Sequence, residues 1–292
     1  MSLALHTRYR IGGPAVRFGR PETEAELVAA LADPAAHGHF VLGWGANVLV
    51  SDRGVQRDVL MLAGDFGSVQ LEPDALEVGA AAGIPGTVGE ARRTGRTGFD
   101  FLEAVPGTIG GALRMNAGSA TEGIWDRVVW AEAVTPGGER VRITPQEAKP
   151  VYRGTGVPTD WVFVAARLAA PQGDLKRVQR AHQERRRSKV ESQVYELPSC
   201  GSTWKNPGPP HGSAWEVLSQ AGMRGVSRGG ARVSAKHANF IVNEGGATAD
   251  DVIWLMRESR RRVHEQLGIW LAPEIQLWGF EADELSSLGV AA

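Results

Sequence analysis

Two glycine-rich turns and a few polar side chains carry the chemistry available to this sequence. The first turn is Gly43-Trp44-Gly45-Ala46-Asn47, running into Val48 and Ser51. It follows a predicted strand, and its glycines let backbone N–H groups swing toward an anion such as a pyrophosphate. Taken alone, a Gly-x-Gly turn is more often structural. The third glycine and following helix of a dinucleotide fingerprint are missing, which rejects a Rossmann arrangement. No Gly-Lys-Ser/Thr occurs, so a P-loop is excluded as well. The second cluster runs from Phe101 to Gly118. Pro106-Gly107 sets a tight turn before Thr108, and Gly110-Gly111 would allow close backbone approach to a flat or phosphorylated ligand. A crowded sheet corner is the competing reading. Two ligand-type glycine turns in one region favour the ligand.

Among side chains, Arg153 is permanently charged and planar, suited to a carboxylate that gains charge, although a surface salt bridge would use it equally well. Gly201-Ser202 taken alone is a turn, and Glu274 taken alone is a solvated strand-end charge. Lysine is scarce: Lys149, Lys176, Lys189, Lys205 and Lys236 are the full set, against 27 arginines (32 basic residues less 5 lysines). Arg185-Arg186-Arg187 belongs to a solvated connecting helix, or to a face from which one or two arginines reach an anion. Cys200 is the sole cysteine, which rules out an internal disulfide and a multi-cysteine metal site. His37 and His39 are expected in a loop, without metal-ligand spacing, so no metal is expected. The nine tryptophans are expected in the core, with Trp44 and Trp204 as exceptions.

These groups need a scaffold. The 292 residues, 42% hydrophobic and 22% charged, describe a globular chain with ample core. Acidic and basic residues nearly cancel, 33 against 32, which argues against nucleic-acid and membrane-surface partners. No signal-peptide pattern or long apolar run occurs, so a cytoplasmic protein is expected. Thr23 to Glu26 is a capping box opening a helix through Leu27, Val28 and Leu31. His39–Leu42 is a short buried strand, with further strands at Val48–Val50 and Val59–Leu62. Hairpins are expected around Glu72-Pro73-Asp74 and around Thr135-Pro136-Gly137-Gly138. Trp161–Ala166 is a buried strand, and residues 174–189 are a basic helix. Ser213–Ala221 forms a helix stopped by Gly222, and Thr248-Ala249-Asp250-Asp251 opens another with Val252, Leu255, Met256 and Val263 on one side. Strands at Phe240–Val242 and Glu274–Leu277 complete the last block.

At this point an ordered set of blocks resembles the UDP-N-acetylenolpyruvoylglucosamine reductase family of peptidoglycan synthesis. Thr7-Arg8-Tyr9-Arg10-Ile11-Gly12-Gly13-Pro14-Ala15 is similar to its opening, and residues 43–52 to its Gly-Gly-Gly-Ser-Asn-x-Leu-Val-Ser-Asp turn. Residues 105–118, Tyr152-Arg153, residues 201–207, residues 221–225, residues 233–241 and Pro273-Glu274-Ile275 follow in family order. The resemblance implies an α+β fold. An FAD-binding half of the vanillyl-alcohol-oxidase type would comprise subdomains 1–62 and 63–172. A connecting helix, 173–194, would lead to a C-terminal α+β substrate-binding domain, 195–284, of the shorter branch.

The implied reaction passes hydride from NADPH, through FAD, to C3 of an enolpyruvyl ether on a UDP-sugar. An enolate follows, and a proton delivered to C2 completes a lactyl ether. The resemblance assigns Ser202 as the proton donor, polarised by Lys205, Arg153 as the enolate's cation, and Glu274 as a partner of the substrate carboxylate. It assigns FAD to Gly43, Gly45, Ala46, Asn47, Val48, Ser51, Pro106, Gly107, Thr108, Gly110, Gly111, Asn116 and Gly118. It assigns the UDP-sugar to Lys205, Asn206, Lys236 and Tyr152, and His237 to packing. A monomer is expected. Three departures stand out. Trp44 and Ala46 replace a small glycine and a serine, and Trp44 could pack over the cofactor. Thr155 stands where the family has a serine, without the Phe-Lys pair that usually follows. The tract Ser192–Leu197 fits the pattern poorly. Another flavin oxidoreductase on the same scaffold, or a non-catalytic flavin or sugar-nucleotide binder, is the alternative.

Overall fold

A computed structural model describes residues 1–33, 35, 38–119 and 121–290. His37 lies outside the described residues. In chain order the first elements are β1 (Phe18–Gly19), α1 (Glu24–Ala32), β2 (His39–Val41), β3 (Val48–Val50), β4 (Asp58–Leu60), β5 (Val69–Leu71) and β6 (Ala75–Gly79). Then come α2 (Ile84–Thr94), α3 (Ile109–Met115), β7 (Val128–Val134), β8 (Arg140–Ile143), α4 (Pro145–Ala148), β9 (Val162–Ala169) and α5 (Leu175–Ser192). The remainder is α6 (Ala214–Gln220), β10 (Ser227–Arg228), β11 (Ala231–Val233), β12 (Ile241–Asn243), α7 (Ala249–Leu267), β13 (Gln276–Trp278) and α8 (Ala282–Ser287).

The chain forms two compact units from interleaved stretches. A terminal unit takes Met1–Val16, Gly45–Gln56 and Val190–Ala292, and a central unit takes Arg17–Trp44 and Arg57–Lys189. The sequential partition expected above keeps Val48–Val50 with its neighbours in the chain. Here that strand groups with residues from 190 onward, because its hydrogen-bonding partner is β13.

In the central unit, β1, β4 and β2 form a parallel sheet in the order β1-β4-β2. β2 is an edge strand, half-buried at His39 and Phe40 and exposed at Val41, so the expectation of a buried strand fails there. His39 sits in that strand and not in a loop. At α1 the Thr23 side chain accepts from the Glu26 N–H, but the Glu26 carboxylate takes the Glu22 N–H at 2.7 Å. Only half of the expected capping box is therefore closed.

The second central sheet is antiparallel, in the order β5-β6-β9-β7-β8. Both expected hairpins form. Gly138, at φ +82°, supplies the left-handed residue that closes the β7–β8 turn. Leu76, Val78, Phe99, Phe101, Ile109, Leu113 and Trp125 pack beside this sheet in one buried cluster. Truncating a fully buried aromatic such as Phe101 to alanine costs about 3–5 kcal/mol in such a core.

The terminal unit pairs β13 with β3 in parallel and joins β10, β11 and β12 antiparallel. Thr248 and Asp251 close a full capping box at α7, worth roughly 1 kcal/mol. Val252, Leu255, Met256 and Val263 are all buried, as their spacing predicts. Trp204, expected as an exception to the core, is 1% exposed within it. Its indole is too large and apolar to leave in water where an extended stretch holds it inward.

Candidate active site

The glycine segment 107–111 is not a sheet corner but the entry to a helix. Thr108 caps α3 through its hydroxyl, which accepts the Gly111 N–H at 3.4 Å. The Ile84 N–H donates to Gly107 O, the Ile109 N–H to Ala82 O and the Gly110 N–H to Ala80 O, all at 2.8–2.9 Å. The first N–H groups of α3 are thus taken by the protein. A Cβ at Gly110 would lie 3.1 Å from Ala80 Cβ, and one at Gly43 would lie 2.5 Å from Thr108 Oγ1. These glycines answer first to packing, and they lock the first turn onto the second. Trp44 is 41% exposed and its ring covers Gly83, where a Cβ would lie 2.5 Å away.

The first turn behaves differently. The backbone N–H groups of Gly43, Trp44, Gly45, Ala46 and Asn47 donate to no acceptor among the described residues. Gly107 and Thr108 share this property. Consecutive unclaimed N–H groups in a glycine turn make a cradle for an anion. Ser51, by contrast, is buried and its Oγ accepts the Arg53 N–H at 3.2 Å, a local turn contact. Val48 is buried in β3.

At the far end of α3 the glycine segment meets Tyr152-Arg153. Asn116 caps the helix in a left-handed conformation, φ +42°. Its Nδ2 donates to Val151 O at 3.0 Å, and its Oδ1 accepts the Trp125 N–H at 3.3 Å. Arg153 is itself left-handed, at φ +58°. Its guanidinium donates to Gly118 O at 3.2 Å and to Ser119 O at 3.4 Å, and its Cζ lies 4.7 Å from the Tyr152 ring centroid. Thr155 donates to Ala148 O at 2.8 Å. Its hydroxyl therefore ties down the turn.

Lys189 joins this group, although its basic run reads as a solvated face. Burial pushes its ammonium down to about 8, with the charges of Arg185 and Arg153 adding to the effect and Glu103 and Asp100 opposing it. Nζ donates to Phe101 O at 3.0 Å. Helix α5 is also anchored on the same stretch by the buried His182, whose Nδ1 lies 2.9 Å from Glu103 Oε1. The scarcity of lysine was the one signal that could have singled Lys189 out.

In the terminal unit three separated stretches converge. The Glu274 N–H donates to Thr203 O and the Lys205 N–H to Ala272 O, both at 2.9 Å, with Trp204 opposite Pro273. Asn47 Nδ2 donates to Glu274 O at 3.1 Å, and the Gln276 N–H donates back to Asn47 O. The stretch that follows Ser202 is thereby held against the stretch that carries Glu274, next to the first glycine turn. Gly201, at φ +73°, makes the bend before Ser202. Cys200 is buried, its Sγ donates to Val48 O at 2.9 Å, and burial holds its thiol far above the usual range. It is no nucleophile.

Lys205 does not bond Ser202. Residues three apart in an extended stretch face opposite ways, so the expected polarising contact fails geometrically. Asn206 Oδ1 accepts the Ala214 N–H at 3.0 Å, starting α6. Lys236 Nζ donates to Val190 O at 2.8 Å. His237 packs edge-on against Phe240, with ring centroids 4.8 Å apart. Arg153 and Tyr152 belong to the central unit, while Ser202, Glu274, Lys205, Asn206 and Lys236 belong to the terminal one. Among the described residues no group of three or more His, Cys, Asp or Glu is placed to hold a metal, and no helix is long and apolar enough to cross a membrane.

Comparison with known proteins agrees with this layout. The FAD binding domain model matches residues 17–144, and the UDP-N-acetylenolpyruvoylglucosamine reductase C-terminal domain model matches residues 193–278. The reductase of that name from Paramagnetospirillum magneticum is 39% identical over 282 residues, covering 96% of this chain and 91% of its own. The chain belongs to the UDP-N-acetylenolpyruvoylglucosamine reductase family. The Rhodospirillum rubrum member is 37% identical over 292 residues, covering 98% and 91%. The solved Thermus caldophilus reductase matches with a TM-score of 0.84 at 33% identity, over 95% of this chain and 97% of that one. Like its family, the chain is an FAD-dependent oxidoreductase with an FAD-binding α+β part and the family's C-terminal domain. FAD fits the residues present: the unclaimed N–H groups of the first turn suit its diphosphate, and those of Gly107 and Thr108 offer two more donors.

Proposed function

We propose that the chain reduces the enolpyruvyl ether of UDP-N-acetylglucosamine to UDP-N-acetylmuramate, with NADPH as the electron source, in peptidoglycan synthesis. FAD, when bound, supplies hydride to C3 of the enolpyruvyl group. The protein's own part is to manage charge and the proton. Electron density released at C2 moves into the substrate carboxylate, where Arg153 meets it with a planar, permanent cation. Its carbonyl contacts and the Tyr152 ring hold that guanidinium in one place, so little reorganisation is needed as charge develops. Lys189 and Arg185 add positive potential beside it, suited to the anionic groups of a UDP-sugar.

Ser202 gives its hydroxyl proton to C2 and regains one from water. Serine is a weak acid, but a carbanionic enolate is a strong enough base for the transfer once the two are aligned. Glu274 orients the substrate carboxylate through a shared proton. Lys205, Asn206, Lys236 and Tyr152 remain the proposed contacts to the sugar nucleotide. We also infer a monomer working in the cytoplasm, where the lone buried cysteine and a need for NADPH are both at home.

The observation that supports this reading is the pairing of residues 203–205 with 272–274, which brings the stretch that follows Ser202 against the stretch that carries Glu274, near the first glycine turn. Stopped-flow absorbance at the flavin band tests it. In Ser202→Ala, reduction by NADPH should run at the wild-type rate, while reoxidation by the enolpyruvyl substrate slows by about 10²–10⁴-fold. Equal slowing of both halves would remove Ser202 as the acid.

A further inference from the structure

Ala46 brings no side-chain donor to the anion cradle of the first turn. The terminal unit places another donor there. The Arg8 N–H donates to Gly45 O at 3.1 Å. A Cβ at Gly45 would lie 2.5 Å from His6 O and from Thr7 Cα, so residues 6–8 are pressed directly onto the turn. The backbone under Arg8 is fixed on both sides. Thr7 is buried, with its hydroxyl on Ile11 O at 2.9 Å, and Tyr9 is 1% exposed, with its hydroxyl on Ile241 O at 2.8 Å. With both neighbours directed inward, the Arg8 side chain is left outside. Its guanidinium makes no hydrogen bond or ion pair with any described residue. Its charge is felt by the Cys200 thiol, which itself bonds Val48 O, one residue beyond the turn. An exposed, unpaired arginine is therefore tethered by its own backbone to the turn that carries the unclaimed N–H groups.

We propose that Arg8 is a cofactor-binding residue, whose guanidinium takes the FAD diphosphate together with the N–H groups of Gly45, Ala46 and Asn47 and replaces the hydroxyl that Ala46 lacks. The planar fork matches phosphate oxygens, and a charge-assisted contact is stronger than the neutral one it supplants. This rests on the flavin reading above.

The test is FAD binding to flavin-stripped protein, followed by quenching of flavin fluorescence, with no turnover involved. Arg8→Ala should raise the FAD Kd about tenfold or more, as expected for loss of one charge-assisted contact. It should also flatten the dependence of Kd on salt. Arg8→Lys should fall between, and Ala46→Ser in the Arg8→Ala background should recover part of the loss. Arg10→Ala, two residues away, removes an equal charge and should leave Kd unchanged. An unaltered Kd in Arg8→Ala, with circular dichroism confirming the fold, would overturn the proposal while leaving the flavin reading intact. An equal effect of Arg10→Ala would overturn it as well, and absence of recovery by Ala46→Ser would overturn the replacement of hydroxyl by guanidinium. Wild-type protein that takes up no FAD would overturn the flavin reading and the Arg8 assignment together.

Discussion

Lys189 shows how much a residue's surroundings outweigh its type. Its ammonium is depressed from the ordinary 10.5 to about 8, chiefly by burial. In the unfolded chain it would still be protonated up to the ordinary value. Between about pH 8 and 10.5 the unfolded state therefore binds more protons, and stability from this group rises with pH across that window. Below pH 8 both states are charged, and the full cost of burying the ammonium is present. Urea unfolding at pH 7.5 and 9.5 should show wild type gaining on Lys189→Met at the higher pH. Parallel stabilities at the two values would sink the assignment. From sequence alone this lysine could not be distinguished from a solvated neighbour, because desolvation comes from elements distant in the chain. Ser202, Arg153 and Glu274 were legible only as parts of an ordered set of blocks. Ser51 and Asn116 were visible as polar residues in those blocks, but nothing local revealed that their side chains bond the protein's own backbone.

Elements with strong local chemistry were the ones the sequence displayed. The β5–β6 and β7–β8 hairpins follow from Pro and Gly at their turns, and α7 from its capping box and apolar stripe. Helix α3 was hidden, because glycine at its first turn opposes helix formation by about 1 kcal/mol per residue. Its Thr108 cap and buried Ile109 and Leu113 override that preference. Helix α4 offers a clean test of capping. Lys149, exposed, ends it in the left-handed region at φ +45°, where a side chain is strained. Lys149→Gly should raise unfolding free energy by about 0.5–1 kcal/mol. Thermal and urea unfolding check it, and a loss of stability would mean that the lysine side chain holds something the cap does not explain.

For the whole molecule, the interleaved path matters most. Periodicity along the chain cannot show which stretches rejoin after a long detour, so the placement of Val48–Val50 beside β13 was not legible. The terminal unit's core needs Tyr9, Ile11 and Leu49 alongside Trp204, Met223 and Met256. Asn243 Nδ2 also donates to Tyr9 O at 2.9 Å. A fragment of residues 190–292 made alone should lack a cooperative thermal transition, and adding a peptide of residues 1–56 should restore part of one. A sharp melt of the fragment by itself, with native-like near-ultraviolet dichroism, would show that the early stretches are dispensable.

That same path sets a timetable for the ribosome. Tyr9 and the carbonyl it serves are 232 positions apart, and at ordinary translation speeds the second emerges about 10–50 s after the first. For most of that interval Ile11 and Leu49 are outside the exit tunnel with their greasy faces uncovered, while the intervening stretch can already collapse. A nascent chain of this design has a built-in waiting period. Holdase chaperones, slower growth temperatures and fusion partners should raise its soluble yield for that reason alone.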